Sequence, residues 1–70
     1  MNDCEAMKER VYYAMPAHKI AINILAGQLD MQRCKVAFFL RLLRLDGRVE
    51  YLGRHYDRSV HTLRAFWKRK

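Results

Sequence analysis

The chain has 70 residues, 51% of them hydrophobic, and carries 14 lysines and arginines against seven aspartates and glutamates, a net charge of +7. This composition is too apolar for a disordered tail, and the length is near the lower limit at which one core folds unaided, so we predict a single domain over residues 1–70. The sequence contains no apolar stretch approaching the roughly 20 residues of a transmembrane helix, and MNDCEAMKER is unlike a secretory signal.

The first predicted element is a helix over Asp3–Ala14. Asp3 belongs to the residue types that cap helices, and apolar residues recur at helical spacing from Met7 through Val11. The residue before a proline is disfavoured in the helical conformation. We therefore expect this helix to end shortly before Pro16.

The second segment, His18–Leu29, is open to two interpretations. Ile20–Ile22 forms a short strand and Asn23 caps a brief helix after it, or the whole segment is helical. Leu29–Met31 then predicts a turn into the next helix.

The third segment, Gln32–Leu45, is the clearest helix. Val36, Leu40 and Leu43 recur on one face, with Phe39 beside them. This pattern predicts a helix whose buried side faces a common core.

A change of period follows at Gly47. A glycine just past a helix can adopt the left-handed conformation that ends it. Residues Arg48–Leu52 then alternate between polar and apolar side chains, which predicts a strand.

A hairpin fits the rest of the chain. We expect a polar tip over Gly53–Arg58, with Gly53 and Asp57 as turn formers. An extended run follows, in which Leu63, Ala65 and Trp67 alternate with Arg64, Phe66 and Lys68, and Trp67 is expected in the core. A C-terminal helix over residues 59–67 is the competing assignment.

Three helices followed by a hairpin, with the third helix and the hairpin basic, is the layout of a winged helix-turn-helix. The predicted fold class is therefore α+β, mainly α, with the hairpin as the wing. Five apolar positions of this layout have a role in the core, where they hold the second helix, the third helix and the first wing strand together. These positions are Leu25, Leu29, Val36, Leu40 and Leu43, with Met31 in the turn and Val49 in the strand.

The same positions resemble the winged helix-turn-helix pattern of bacterial transcription regulators, most of all the small regulators of fimbrial operons of the Pap-pilus and Fae-fimbria type. The resemblance covers about residues 7–53 and includes the aromatic pair Phe38-Phe39. It implies DNA binding and action together with the leucine-responsive global regulator. The positions that carry it are Leu25, Ala26, Leu29, Met31, Val36, Leu40, Leu43, Gly47 and Val49.

The charge is unevenly distributed. Residues 1–30 carry three basic and four acidic side chains, whereas residues 31–70 carry eleven basic and three acidic ones. A half-domain with this excess is expected to attract a polyanion.

In a winged helix the start of the third helix enters the major groove, where glutamine can pair with adenine and arginine or lysine with guanine. An aromatic side chain there can contact a thymine methyl group, and wing and tail cations suit phosphates or the minor groove. The candidate DNA-binding residues are Gln32, Arg33, Lys35, Phe38 and Arg41 in the third helix, Arg54, His55 and Arg58 in the wing, and Lys68, Arg69 and Lys70 in a basic tail.

A second apolar stripe of the third helix, formed by Phe38, Leu42 and Leu45, lies opposite the core stripe. A helix that is apolar on both sides is buried on both sides or contacts a partner. The wing and the first helix can cover Leu42 but not both of the others. We therefore expect a protein contact there, with a second copy of the chain or with a larger regulator.

Other chemistry has little support in the sequence. Cys4 and Cys34 are too few for a disulfide-stapled domain, so we expect free thiols in a reducing cytoplasm. The histidines lie at no zinc-ligand spacing. The sequence contains no paired carboxylates, phosphate-binding glycine loop or nucleophile–base set at a recognisable spacing. We expect no enzymatic activity, no cofactor, no metal, no small-molecule substrate and no membrane partner.

The leading hypothesis is a sequence-specific, double-stranded DNA-binding transcription regulator of a bacterium or phage. Two alternatives remain. One is a phage excisionase-like or architectural factor that bends DNA. The other is a protein-interaction module that docks on a host regulator through Phe38, Leu42 and Leu45.

Overall fold

A computed structural model describes residues 3–58 and 61–70 of the chain. In this part, three helices pack with a three-stranded antiparallel sheet, so the fold class is α+β as predicted. The elements in chain order are α1 (Asp3–Ala14), β1 (Ile20–Ala21), α2 (Ile22–Leu29), α3 (Arg33–Leu45), β2 (Val49–Asp57) and β3 (Thr62–Arg69).

Helix α1 has the predicted bounds. Its apolar stripe is narrow, since Val11 is its one buried residue, and Met15 is buried just beyond its end. The amide of Met15 donates to the carbonyl of Tyr12 at 3.0 Å. The helix therefore closes with a final turn before Pro16, in agreement with the proline rule.

The second segment resolves into a strand followed by a helix. Ala21, and not Asn23, is the residue before α2, and its extended backbone (φ −75°, ψ 141°) makes no side-chain cap. Asn23 lies inside the helix, where its Oδ1 atom is buried without a hydrogen-bond partner. The predicted cap is therefore wrong, because the helix begins one residue before Asn23.

The turn between α2 and α3 is confirmed at the predicted residues. Asp30 adopts the left-handed conformation (φ 54°, ψ 46°), which aspartate tolerates better than most residues, and the amide of Met31 donates to the carbonyl of Ala26 at 3.0 Å. Helix α3 starts one residue later than predicted, since Gln32 is its N-cap.

The buried face of α3 is the predicted one. Val36, Leu40 and Leu43 are fully buried, and Phe39 is nearly so. Together with apolar residues of α1, α2 and the sheet they form one core cluster. The predicted core positions of the second helix and the first wing strand, Leu25, Leu29 and Val49, belong to the same cluster.

Gly47 ends α3 as predicted. Its φ of +75° lies in the left-handed region, and the amide of Arg48 donates back to the carbonyl of Leu43 at 3.0 Å. This closure turns the chain directly into β2, which begins at Val49.

The predicted polar tip is wrong. Strand β2 does not stop at Leu52 but continues to Asp57, which is the register partner of Thr62. Gly53 lies within the strand at an irregularity between Tyr51 and Gly53, with φ +92°. The glycine therefore accommodates a β-bulge and not the hairpin turn.

The second extended run is confirmed as a strand, β3, for residues 62–67, which excludes a helix there; residues 59 and 60 of the competing assignment lie outside the described part. Strand β3 is central in the order β1-β3-β2. Trp67 pairs with Ile20 on one side and Tyr51 on the other and is 6% exposed. The predicted core position of Trp67 is confirmed.

An ion pair between Glu9 and Arg48, with the guanidinium packed on an aromatic ring, joins α1 to the start of β2. The Arg48 guanidinium donates to both carboxylate oxygens of Glu9, at 2.6 and 3.1 Å, and lies 3.9 Å from the centre of the Tyr12 ring. Hydrogen bonding from Arg48 lowers the pKa of Glu9 below its ordinary value of 4.5. The same hydrogen bond raises the pKa of Arg48, which stays charged.

Because of this ion pair, the stability of the folded protein depends on pH in the acidic range. Because the pKa of Glu9 is lower in the folded state, its stabilising effect is fully present above 4.5 and is lost as the pH falls through the folded-state value. We predict that Glu9→Gln lowers the melting temperature at pH 7 and that the difference from wild type shrinks progressively below pH 4.5. Thermal unfolding followed by circular dichroism from pH 7 to pH 2 measures this.

The matched control is Glu50→Gln. Glu50 approaches Lys68 at 3.6 Å with both side chains more exposed than in the Glu9–Arg48 pair, so we expect a smaller effect at pH 7. A Glu9→Gln difference that stays constant across this pH range would contradict the assignment.

Candidate functional site

A cleft of about 300 Å³ lies between the first turn of α3 and the outer part of the hairpin. Arginines line it from both sides, with Arg33 on α3 and Arg54 and Arg64 on the two hairpin strands. Ala37 and Ala65 are among its small apolar lining residues. The small side chains leave space between the helix and the hairpin.

The cleft continues along α3. A second cleft of about 290 Å³ shares Ala37 and Ala65 with the first and is lined by Arg41 and Arg44. Residues 33, 37, 41 and 44 are spaced by four, four and three positions, which puts them on one side of the helix. We call the combined feature the arginine groove; its arginines are Arg33, Arg41, Arg44, Arg54 and Arg64.

In the described residues, no groove arginine has a carboxylate partner within 4.0 Å. The ion pairs of this part of the chain involve other basic residues. Lys8 contacts Glu5 and Asp46, Arg48 contacts Glu9, and Lys68 contacts Glu50. Among the groove arginines, Arg44 packs on the ring of Tyr51 at 5.5 Å. The Nε atom of Arg64 is buried without a hydrogen-bond partner. The positive charge of the groove is therefore not neutralised by these contacts.

The β-bulge determines which way Arg54 faces. Tyr51 pairs with Trp67, Gly53 with Phe66 and Arg54 with Ala65, so Leu52 is the extra residue. Without the extra residue, the side chain of Arg54 would lie on the face of the sheet opposite to that of Tyr51, since successive side chains of a strand point to opposite faces. With it, Arg54 shares a face with Ala65 and lines the groove.

Three of the predicted DNA-binding residues, Arg33, Arg41 and Arg54, line the groove. Lys35 follows Arg33 by two positions, about 200° around the helix, so it is exposed on another side of α3. Gln32 is exposed as the N-cap residue, where its Oε1 accepts a weak hydrogen bond from the Cys34 thiol at 3.7 Å.

The other wing candidates lie outside the groove lining. His55 is an exposed strand residue that pairs with Arg64 in the register, and its Nε2 atom donates to the Leu52 carbonyl at 2.8 Å. Arg58 is exposed in the turn after β2.

The predicted basic tail is not a tail. Lys68 and Arg69 are the last residues of β3; Lys68 contacts Glu50 at 3.6 Å, and Arg69 lies 5.8 Å from the Tyr12 ring. Lys70 donates its backbone amide to the Arg48 carbonyl at 3.1 Å. Lys68 and Arg69 belong to the sheet because the hairpin register continues to the pair of Val49 and Arg69.

The second apolar stripe of α3 is partly covered, as predicted. Leu42 packs against the core, whereas Phe38 is 51% exposed and Leu45 is 83% exposed. Phe38 contacts Phe39 edge-on at 5.4 Å between ring centres. Two large apolar side chains therefore face solvent on the outer side of α3.

The sequence interpretation missed Arg44 and Arg64. Arg44 could have been found, since it follows Arg41 by three positions on a predicted helix. Arg64 could not, because its place beside Arg33 depends on the hairpin register, which the sequence does not reveal.

Within residues 3–58 and 61–70, no three or more histidines, cysteines, aspartates and glutamates are grouped so as to hold a metal ion. No helix in these ranges is long and apolar enough to cross a membrane. Comparison with known proteins gives no matching family model, no matching curated protein and no matching solved structure.

The bulge can be tested through its glycine. Because Gly53 has φ +92°, we predict that Gly53→Ala destabilises the fold by about 1–2 kcal/mol. Urea unfolding followed by circular dichroism measures the change.

Gly27→Ala provides the matched control with the opposite sign. Gly27 lies in α2 and an added Cβ would meet nothing within 4 Å, so alanine there should stabilise by about 0.5–1 kcal/mol. A Gly53→Ala protein as stable as wild type would mean that the strand has no left-handed bulge at this position.

Proposed function

We propose that this protein is a cytoplasmic winged-helix transcription regulator that binds double-stranded DNA. The observation that carries the proposal is the arginine groove, in which five arginines from the third helix and the hairpin line a continuous surface without carboxylate partners in the described residues. The phosphate backbone of a DNA duplex is negatively charged, so such a surface attracts it, and counterions are released on binding.

The order of the elements supports the same proposal. Helix, strand, two helices and a hairpin, with β1 paired to β3 in a sheet of order β1-β3-β2, are compatible with a winged helix. In this arrangement α3 is the recognition helix and the hairpin is the wing. The start of α3 then enters the major groove, where Gln32 and Arg33 can reach base edges. Lys35, on another side of α3, would contact a phosphate beside that groove.

The proposed contacts are of two kinds: the start of α3 contacts bases, and the other four groove arginines contact the phosphate backbone. Arg41 and Arg44 lie two or three turns beyond the start of α3, so they serve as phosphate contacts at the rim of the major groove. Arg54 and Arg64 belong to the wing and contact the neighbouring backbone. Phosphate contacts position a protein on DNA, whereas base contacts specify the site.

The test compares variants of the groove with one outside it. We predict that Arg33→Gln and Arg54→Gln each weaken binding to a fluorescent duplex. Each should also make the dependence of log affinity on log salt shallower, by about 0.9 for every phosphate that the protein no longer neutralises. Fluorescence anisotropy titrations at several salt concentrations measure both quantities.

Arg10→Gln is the control that removes the same charge. Arg10 lies on α1 and donates to the Leu29 carbonyl at 3.1 Å, outside the groove. If it reduces the salt dependence as much as the groove variants do, the binding surface is elsewhere. Selection of bound duplexes from a random pool at two salt concentrations then tests for sequence preference.

A second candidate function rests on the exposed outer side of α3. Phe38 and Leu45 are seven residues apart, so they share a side of the helix, and both are at least half exposed. This surface suits a protein contact, with a second copy of the chain or with a larger regulator bound beside it.

We predict that Phe38→Ala weakens self-association, because the phenylalanine ring is the larger of the two apolar side chains that such a contact would bury. Sedimentation equilibrium over a range of concentrations measures the association. Tyr13→Ala, which removes an exposed aromatic ring from α1, should leave it unchanged. A wild-type protein that stays monomeric at every concentration would remove the homodimer from consideration.

A further inference from the structure

Two apolar side chains are exposed in the outer half of the wing. Tyr56 of β2 and Leu63 of β3 are register partners, and they are 57% and 54% exposed. Side chains at directly opposite positions lie on the same face of a sheet, with their Cβ atoms about 5 Å apart. We call these two residues the wing pair.

The wing pair lies on the face of the hairpin that borders the arginine groove. Arg54 and Ala65 are partners two residues closer to the core, and side chains two residues apart on a strand share a face. Leu63 also lines the cleft that contains Arg33 and Arg54. A duplex held in the groove would therefore also meet the wing pair.

The charge around the wing pair favours a polyanion as the surface that covers it. Arg54 lies on the same face as the pair, two residues before Tyr56, and Arg58 follows in the turn. Asp57 is the only acidic residue between residues 53 and 66, and as the neighbour of Tyr56 in the strand it lies on the other face.

Contacts across the hairpin hold one member of the pair. The Tyr56 hydroxyl and the His61 Nδ1 atom are hydrogen-bonded at 3.1 Å, and the two rings lie 6.5 Å apart. The phenol ring is thus positioned from its polar end. Leu63 has no polar atom in its side chain and stands beside this ring.

Contact with a phosphate does not stabilise an apolar side chain. Inserted between two base pairs from the minor groove, it is buried, and it partly unstacks the step and kinks the duplex. Leucine is one of the residue types that act as such wedges.

We propose that Leu63, supported by the Tyr56 ring, inserts between base pairs from the minor groove and bends the duplex. This inference rests on the proposed function, since it requires a duplex in the arginine groove. It adds DNA bending to DNA binding and assigns the bend to one side chain. The arginines supply the affinity, and the wing pair supplies the deformation.

The experiment measures the bend directly. The probe is a duplex of about 30 base pairs with a central TA step, a type that kinks easily, and with a donor and an acceptor fluorophore at its two ends. Anisotropy of the same duplex reports binding independently of the energy transfer. We expect wild-type protein at saturation to bend the duplex by about 20° or more.

Leu63→Gln is the test variant and Ile24→Gln its matched control. Both replace an exposed aliphatic side chain, at 54% and 49% exposure, but Ile24 lies in α2 and belongs neither to the wing nor to the groove. We expect Leu63→Gln to bind within a few-fold of wild type with most of the bend abolished, and Ile24→Gln to bend the duplex as wild type does. Circular dichroism confirms that both variants are folded.

Each outcome decides the matter. Wild-type protein that saturates the duplex without bending it, or a Leu63→Gln variant that bends it fully, would overturn the wedge and leave the proposed function intact. Wild-type protein that does not bind duplex even at low salt would overturn both. If wild-type protein binds phosphatidylserine vesicles and Leu63→Gln does not, while Leu63→Gln bends the duplex as wild type does, the wing pair contacts a lipid surface instead.

Discussion

The buried side of α3 is the constraint on which the rest of the structure depends. Val36, Leu40 and Leu43 are fully buried, and their helix packs against α1, α2 and β2. Because these contacts hold one side of α3, the side with Arg33, Arg41 and Arg44 faces the hairpin. Small residues, Ala37 and Ala65, keep the groove open between helix and sheet.

The ion pairs of the fold divide the charged residues between two tasks. Glu9 and Arg48 join α1 to β2, and Lys8 joins α1 to Asp46 at the end of α3. The hydrogen bond from Lys8 to Asp46 raises the pKa of Lys8. These pairs use acidic residues near α1, and the groove on the other side of α3 keeps its positive charge. Charged residues therefore stabilise the fold on one side and are available to a polyanion on the other.

The hairpin links the core to the proposed interface. Its inner part belongs to the core through Val49 and Trp67, and its outer part presents Arg54, Tyr56 and Leu63 on the face beside the groove. One extra residue before Gly53 sets that face. A bulge is a common device for re-aiming a side chain next to a functional site, and here it brings an arginine towards α3.

The sequence by itself determined the local features. The helical period of Val36, Leu40 and Leu43, the left-handed Gly47 and the end of α1 before Pro16 depend on neighbours a few positions away, so they can be predicted from a short window. The core side of α3 and three of the five groove arginines followed from the sequence. The length of β2, the bulge at Gly53, the place of Arg64 and the strand position of Lys68 and Arg69 were decided only by the tertiary structure. They depend on which residue of β2 meets which residue of β3, and strand pairing is set by packing between distant parts of the chain and not by the residues next to each position.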